Sequence, residues 1–183
     1  LKAADADGRA VTRSFPVWKT PERLSAVVGE LVAQFARPDL VAVTMTAELA
    51  DCFTTKAEGV DFILRAVEEA VPRTPIFVWQ TGAEFVTPEV DREIPLLVAA
   101  ANWHALATWL GRMVPNGPAV LLDIGTTTTD FIPLLDGVPV PHGLTDCERL
   151  RSGELVYSGV RRTPVCAIAH SVPFRDGHCP LAA

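Results

Sequence analysis

The segment Ala119-Val-Leu-Leu-Asp-Ile-Gly-Thr-Thr-Thr-Thr-Asp-Phe-Ile-Pro-Leu-Leu-Asp-Gly137 constrains this chain more than any other. An apolar run at 119–122 brings a strand out of a core and delivers Asp123 at its end. A second apolar strand, 130–135, follows, and Asp136-Gly137 supplies a hairpin turn. The unit is therefore strand–turn–strand. A Walker loop would need GxxxxGK[ST] followed by a helix, and that pattern is absent. Gly125 removes a Cβ where a phosphate would approach the backbone. Thr126, Thr127, Thr128 and Thr129 offer hydroxyls, and their amides can point at anionic oxygens. Asp123 and Asp130 flank the turn, and paired carboxylates beside a polyphosphate suit Mg²⁺, which takes oxygen ligands and keeps water. The plainer alternative is an ordinary hairpin whose Thr residues follow strand propensity.

Around this unit, strands and helices alternate, the order of an α/β domain with a mixed sheet. Residues 1–18 read as a hairpin about Asp5-Ala6-Asp7-Gly8. Thr20-Pro21-Glu22 opens an amphipathic helix over 21–36. A buried strand is expected at 39–44, a polar loop at 45–57, a helix at 59–71 and a strand at 75–80. A short extended piece is expected at 83–86. One long helix is expected over 92–114, and a further hairpin over 150–159. Beyond Pro164 the sequence is rich in turn residues and poor in period.

The net charge of −6 argues against a general nucleic-acid binder, which needs basic surface to displace counterions. The longest apolar stretches fall well short of the ~20 residues a membrane span requires. No signal peptide is visible, so a cytoplasmic address is expected, and the four cysteines are expected as thiols. Expected partners are accordingly a small phosphorylated molecule, with no nucleic acid and no membrane; a homodimer stays open.

Other segments carry candidates beside plainer alternatives. Thr46, Glu48 and Asp51 follow a strand, where open α/β sheets place ligands, and form a candidate substrate site. The alternative is a cap and solvated turn for the next helix. Asn102 and Trp103 are candidates to line a cleft, against a surface Asn and a core Trp. Arg151, Arg161 and Arg162 suit bidentate binding of carboxylate or phosphate, against a solvated hairpin edge. Cys166, His170, His178 and Cys179 match no usual zinc spacing, and no nucleophilic triad can be assembled.

The motif Asp123-Ile-Gly-Thr-Thr-Thr-Thr-Asp130 resembles the second phosphate motif of the acetate/sugar kinase–Hsp70–actin superfamily. The stretches at 43–63, 100–107 and 150–168 resemble its hydantoinase/oxoprolinase-like branch, among tetrahydromethanopterin-linked C1-transfer proteins. That resemblance implies a ribonuclease H-like or actin-like α/β fold, a mixed sheet flanked by helices. It implies an N-terminal lobe over 1–115 lacking its first strand, and the start of a second lobe over 116–183. The superfamily's first phosphate turn would precede residue 1 and its adenosine-side motif would follow residue 183, so a truncated copy of the two-lobed fold is expected.

The implied activity is a transferase of methanofuran-type coenzyme biosynthesis. It would join an aminomethylfuran diphosphate to a γ-glutamyltyramine-like substrate and release diphosphate. Mg²⁺ and either ATP or the substrate diphosphate would occupy the turn. Asp123 and Asp130 would hold the metal, and Gly125 with Thr126–Thr129 would cradle phosphate. Lys2 would stand where the superfamily places a phosphate-contacting lysine. An ATP-dependent kinase or hydrolase, and a non-catalytic nucleotide-binding fragment, are the alternatives.

Overall fold

A computed structural model describes residues 1–181. The chain forms two compact units, Leu1–Ala105 and Leu106–Ala183. It is a mixed α/β protein with several small sheets rather than the single mixed sheet expected. Among the described residues no helix is long and apolar enough to cross a membrane.

The first unit opens with the hairpin β1 (Lys2–Ala4) and β2 (Ala10–Thr12), shorter than the 1–18 hairpin expected. A 3₁₀ turn, Pro21–Arg23, leads into α1 (Leu24–Val32), with Pro21 at a position where a missing amide costs nothing. Next come β3 (Val41–Val43), α2 (Lys56–Ala70), β4 (Ile76–Gln80) and β5 (Glu84–Val86). β3 and β4 are parallel, joined through α2, and β5 adds an antiparallel edge.

The core of this unit gathers Leu24 of α1, Val60, Ile63 and Leu64 of α2, and Val78 of β4. The α2 residues recur every three or four positions, which is why one helical face is buried. Thr55 caps α2 by accepting from the Glu58 amide at 3.1 Å, and Glu58 in turn accepts from the Thr54 amide at 2.8 Å. Gly59 lies against the Glu48 backbone, where a Cβ would collide with main-chain atoms.

The long helix expected over 92–114 is two short ones, α4 (Pro95–Val98) and α5 (Asn102–Gly111), preceded by a further short helix, α3 (Pro88–Asp91), outside the expected span. Pro88 and Pro95 each begin a helix rather than extend one, since proline lacks the amide an interior turn needs. Ala99 is extended and Ala100 takes φ 51°, which breaks the path before α5. Apolar period alone could not reveal these interruptions.

In the second unit, β6 (Pro118–Ile124) and β7 (Thr129–Leu135) form an antiparallel pair seven residues long. The other edge of β7 takes β8 (Val138–Pro139) at one end and β9 (Leu155–Val156) at the other. Gly137, at φ 78°, turns the chain between β7 and β8 and lets its backbone meet that of Gly111.

Where a hairpin was expected at 150–159, the chain instead forms α6 (Asp146–Ser152), followed by β9. The reason is a capping box: Thr145 accepts from the Glu148 amide, and the Glu148 carboxylate accepts from the Thr145 amide. Gly153 at φ 79° ends the helix in the left-handed conformation. The turn-rich C-terminal stretch forms α7 (Val165–Ile168) and a hairpin of β10 (Ser171–Phe174) and β11 (Gly177–Pro180).

Candidate functional site

The β6–β7 register sets Asp123 directly opposite Asp130. Cross-strand partners share a face and stand about 5 Å apart at Cβ. Asp123 lies half-buried with Ala119 and Leu121, while Asp130 adjoins the buried Ile132 and Leu134. The other face of the pair, with Val120, Leu122, Ile124 and Phe131, is exposed.

The connecting turn is closed by the Gly125 amide, which donates to the Thr128 carbonyl at 2.8 Å. A Cβ at Gly125 would stand 3.1 Å from that carbonyl, so the glycine serves the turn's own tightness. Among the described residues the Thr126, Thr127 and Thr128 amides make no hydrogen bond to the protein. The four threonines are not equivalent. Thr129 belongs to β7 and its hydroxyl donates to the Ser158 carbonyl at 2.6 Å. Thr126 is exposed, and Thr127 and Thr128 are half-buried.

A second loop is stitched to this turn. The Val160 amide donates to the Gly125 carbonyl at 3.0 Å, and the Arg161 and Arg162 amides both donate to the Thr126 carbonyl, at 3.1 and 2.9 Å. Gly159 permits the approach: a Cβ there would fall 2.5 Å from the Thr127 nitrogen. The Thr163 hydroxyl closes the loop, bonding the Gly159 amide and carbonyl, each at 3.1 Å.

Arg149 is the residue that sequence reasoning passed over. Its side chain, 1% exposed, donates from Nη1 to Asp130 Oδ1 at 2.7 Å and from Nη2 to the Glu154 carbonyl at 3.1 Å. The Glu154 carboxylate accepts from the amides of His142 and Gly143 and from the Ser152 hydroxyl. Burial works to raise the Glu154 pKa, but these hydrogen bonds outweigh it and hold it below the ordinary value. For Asp130 the balance goes the other way. Burial raises its pKa, Arg149 opposes, and Asp123 and Asp146 add to the rise. The signal for Arg149 was present in the Thr145-x-x-Glu148 spacing, which announces α6 and so places Arg149 on a helix rather than a hairpin edge.

Chemically, Arg149 occupies one oxygen of Asp130. Oδ2 of Asp130 remains, together with Asp123, whose carboxylate makes no hydrogen bond or ion pair among the described residues. Mg²⁺ commonly takes one or two carboxylates and completes its shell with water and phosphate oxygens, so the pair fits such an ion. Among the described residues no three His, Cys, Asp or Glu side chains cluster as a metal site. Cys166, His170, His178 and Cys179 are all exposed. Arg151 is exposed on α6.

The remaining candidates lie in the first unit. Lys2 is exposed on β1. Thr46 and Asp51 are exposed in the loop after β3, and Glu48 is 1% exposed. Residues 54–58 of the same segment serve as the α2 cap. Asn102 is exposed at the start of α5, and Trp103 is buried. A shallow depression of about 290 Å³, lined by Glu68, Thr74–Phe77 and Thr87–Glu89, includes none of these residues.

The chain belongs to the hydantoinase/oxoprolinase family, whose model matches residues 39–177. Within that class it is similar to a particular enzyme of methanogens. It is 39% identical over 162 residues to the (4-{4-[2-(gamma-L-glutamylamino)ethyl]phenoxymethyl}furan-2-yl)methanamine synthase of Methanocaldococcus jannaschii, an alignment covering 88% of this chain and 47% of that protein. It is 44% identical over 57 residues to the synthase of the same name from Methanococcus vannielii, covering 31% of this chain and 25% of that protein. The chain thus spans about half the length of the M. jannaschii relative.

Proposed function

We propose that this chain carries the diphosphate-binding part of a synthase in methanofuran-type coenzyme biosynthesis, a transferase built on the actin-like plan. The name of the related synthases describes a furan-methanamine bearing a phenoxymethyl ether. Making that ether from an aminomethylfuran diphosphate requires the phenol oxygen of a γ-glutamyltyramine-like substrate to attack the furan CH₂ carbon. The carbon–oxygen bond to diphosphate breaks, the phenol gives up its proton, and diphosphate leaves with the bonding electrons.

The observation that carries this reading is the opposition of Asp123 and Asp130 beside a turn whose three Thr amides remain unclaimed. Consecutive free amides favour anionic oxygens, and the acids suit a bridging cation. Mg²⁺, held by Asp123 and Oδ2 of Asp130, would supply screening of the diphosphate charge. Thr126–Thr128 bind and orient the leaving group, which makes its departure easier where charge develops. In the first unit, taken by itself, Lys2 is a proposed phosphate-contacting lysine and the exposed Thr46, Asp51 and Asn102 are proposed substrate-binding residues; Glu48, 1% exposed, is closed to a ligand.

The test is direct. The chain is incubated with the furan diphosphate, γ-glutamyltyramine and Mg²⁺, and the ether and free diphosphate are followed by mass spectrometry and phosphate release. Stoichiometric ether and diphosphate support the proposal. The hydantoinase/oxoprolinase match supports a second reading, a hydrolase, and an ATP-dependent hydrolase or kinase is the proposed form of it; ATP consumption without ether formation would select it.

A further inference from the structure

The loop carrying two consecutive arginines is fastened to the Thr turn by its main chain. Three backbone hydrogen bonds run from residues 160–162 to Gly125 and Thr126. Gly159 packs so closely on Thr126 and Thr127 that no side chain fits there. The placement of Arg161 and Arg162 beside the turn therefore does not depend on their side chains. Both side chains are exposed, and among the described residues neither makes an ion pair or side-chain hydrogen bond. Among the described residues, four other arginines are spent on carboxylates: Arg13 on Glu30, Arg149 on Asp130, Arg65 on Asp61, and Arg92 on Asp61 and Glu68. What sets Arg161 and Arg162 apart from the remaining exposed arginines is the fastening of their loop to the Thr turn.

Two uncommitted arginines on a loop fastened to a turn with three unclaimed amides suit a multiply charged anion. Guanidinium suits phosphate because its parallel N–H groups match two oxygens at once. We propose that Arg161 and Arg162 are the cationic arm of the Thr126–Thr128 turn and bind the phosphate oxygens of a diphosphate-bearing small molecule. This rests on the diphosphate reading above but assigns the counter-charge to residues of the second unit, rather than to Lys2 alone.

Isothermal titration calorimetry of the chain with inorganic diphosphate and Mg²⁺ tests it. The double variant Arg161→Ala/Arg162→Ala keeps the main-chain bonds, so its circular dichroism should match the wild type. Its diphosphate affinity should fall roughly tenfold or more, the scale of losing charge-assisted hydrogen bonds. Arg161→Lys/Arg162→Lys should recover part of the loss, since charge returns without the fork. Arg175→Ala, on the β10–β11 turn, should bind as the wild type does. Unchanged affinity in the double Ala variant overturns the assignment and leaves the diphosphate reading standing. No binding by the wild type overturns both.

Discussion

Asp130 holds two relationships at once, and they decide how it responds to substitution. It faces Asp123 across the ladder, and it neutralises Arg149, whose side chain is almost wholly buried. Removing the acid of a buried ion pair costs about 3–5 kcal/mol, although Arg149 keeps its bond to the Glu154 carbonyl. Asp130→Ala is therefore expected to destabilise the chain by that order in urea denaturation, so loss of activity in it would not isolate a metal-binding role. Asp123→Asn, which breaks no pair among the described residues, is expected to change stability by less than ~1 kcal/mol. Asp123 is the cleaner probe of the site.

Asp91 is a different kind of buried acid. It is fully buried on α3, and neither carboxylate oxygen has a hydrogen-bond partner among the described residues. Burial pushes its pKa from 3.8 up to about 7, with Arg92 opposing and Glu89 assisting. Between those values the folded chain holds a proton that the unfolded chain releases. The stabilisation is complete below about pH 3.8 and is lost as pH rises through about 7. Asp91→Asn removes this dependence. Thermal denaturation should show the variant gaining on the wild type between pH 5 and pH 8; parallel melting curves across that range would contradict it.

At the scale of elements, the legible and illegible parts separate by what carries their signal. β6 and β7 could be read because apolar runs flank a turn of glycine and polar residues, and a short turn fixes which residues face each other. α2 could be read from its 3.6-residue period. The helix expected over 92–114 could not be divided into α4 and α5, because an apolar period persists across the break made by the extended Ala99 and the left-handed Ala100, and the short α3 before it was not read at all. The reach of Arg149 to Asp130 joins residues nineteen apart, and such a contact appears only once α6 is folded beside β7. The loop at 159–163 was hidden likewise, since backbone bonds to Thr126 have no side-chain signature. α6 itself rests on its capping box, a local device that sequence does expose. Thr145→Ala should cost about 0.5–2 kcal/mol, read from chemical denaturation. Because α6 leads into Glu154, whose carbonyl accepts from the Phe131 amide, the loss should be accompanied by weakened protection of the Phe131 amide in hydrogen exchange.

For the molecule as a whole, the second unit carries the parts of the proposed site for a metal-bound anion. These are two facing acids, three open amides, and two arginines on a fastened loop. The first unit contributes a helix-and-sheet core and a polar loop after β3, whose exposed Thr46 and Asp51 are proposed substrate contacts. Soaking crystals with Mn²⁺ and inorganic diphosphate tests the central claim most directly. The account predicts an anomalous peak beside Asp123 and Asp130 Oδ2, with diphosphate density against the Thr126–Thr128 amides. A manganese peak elsewhere, or an empty turn at saturating ligand, would contradict it.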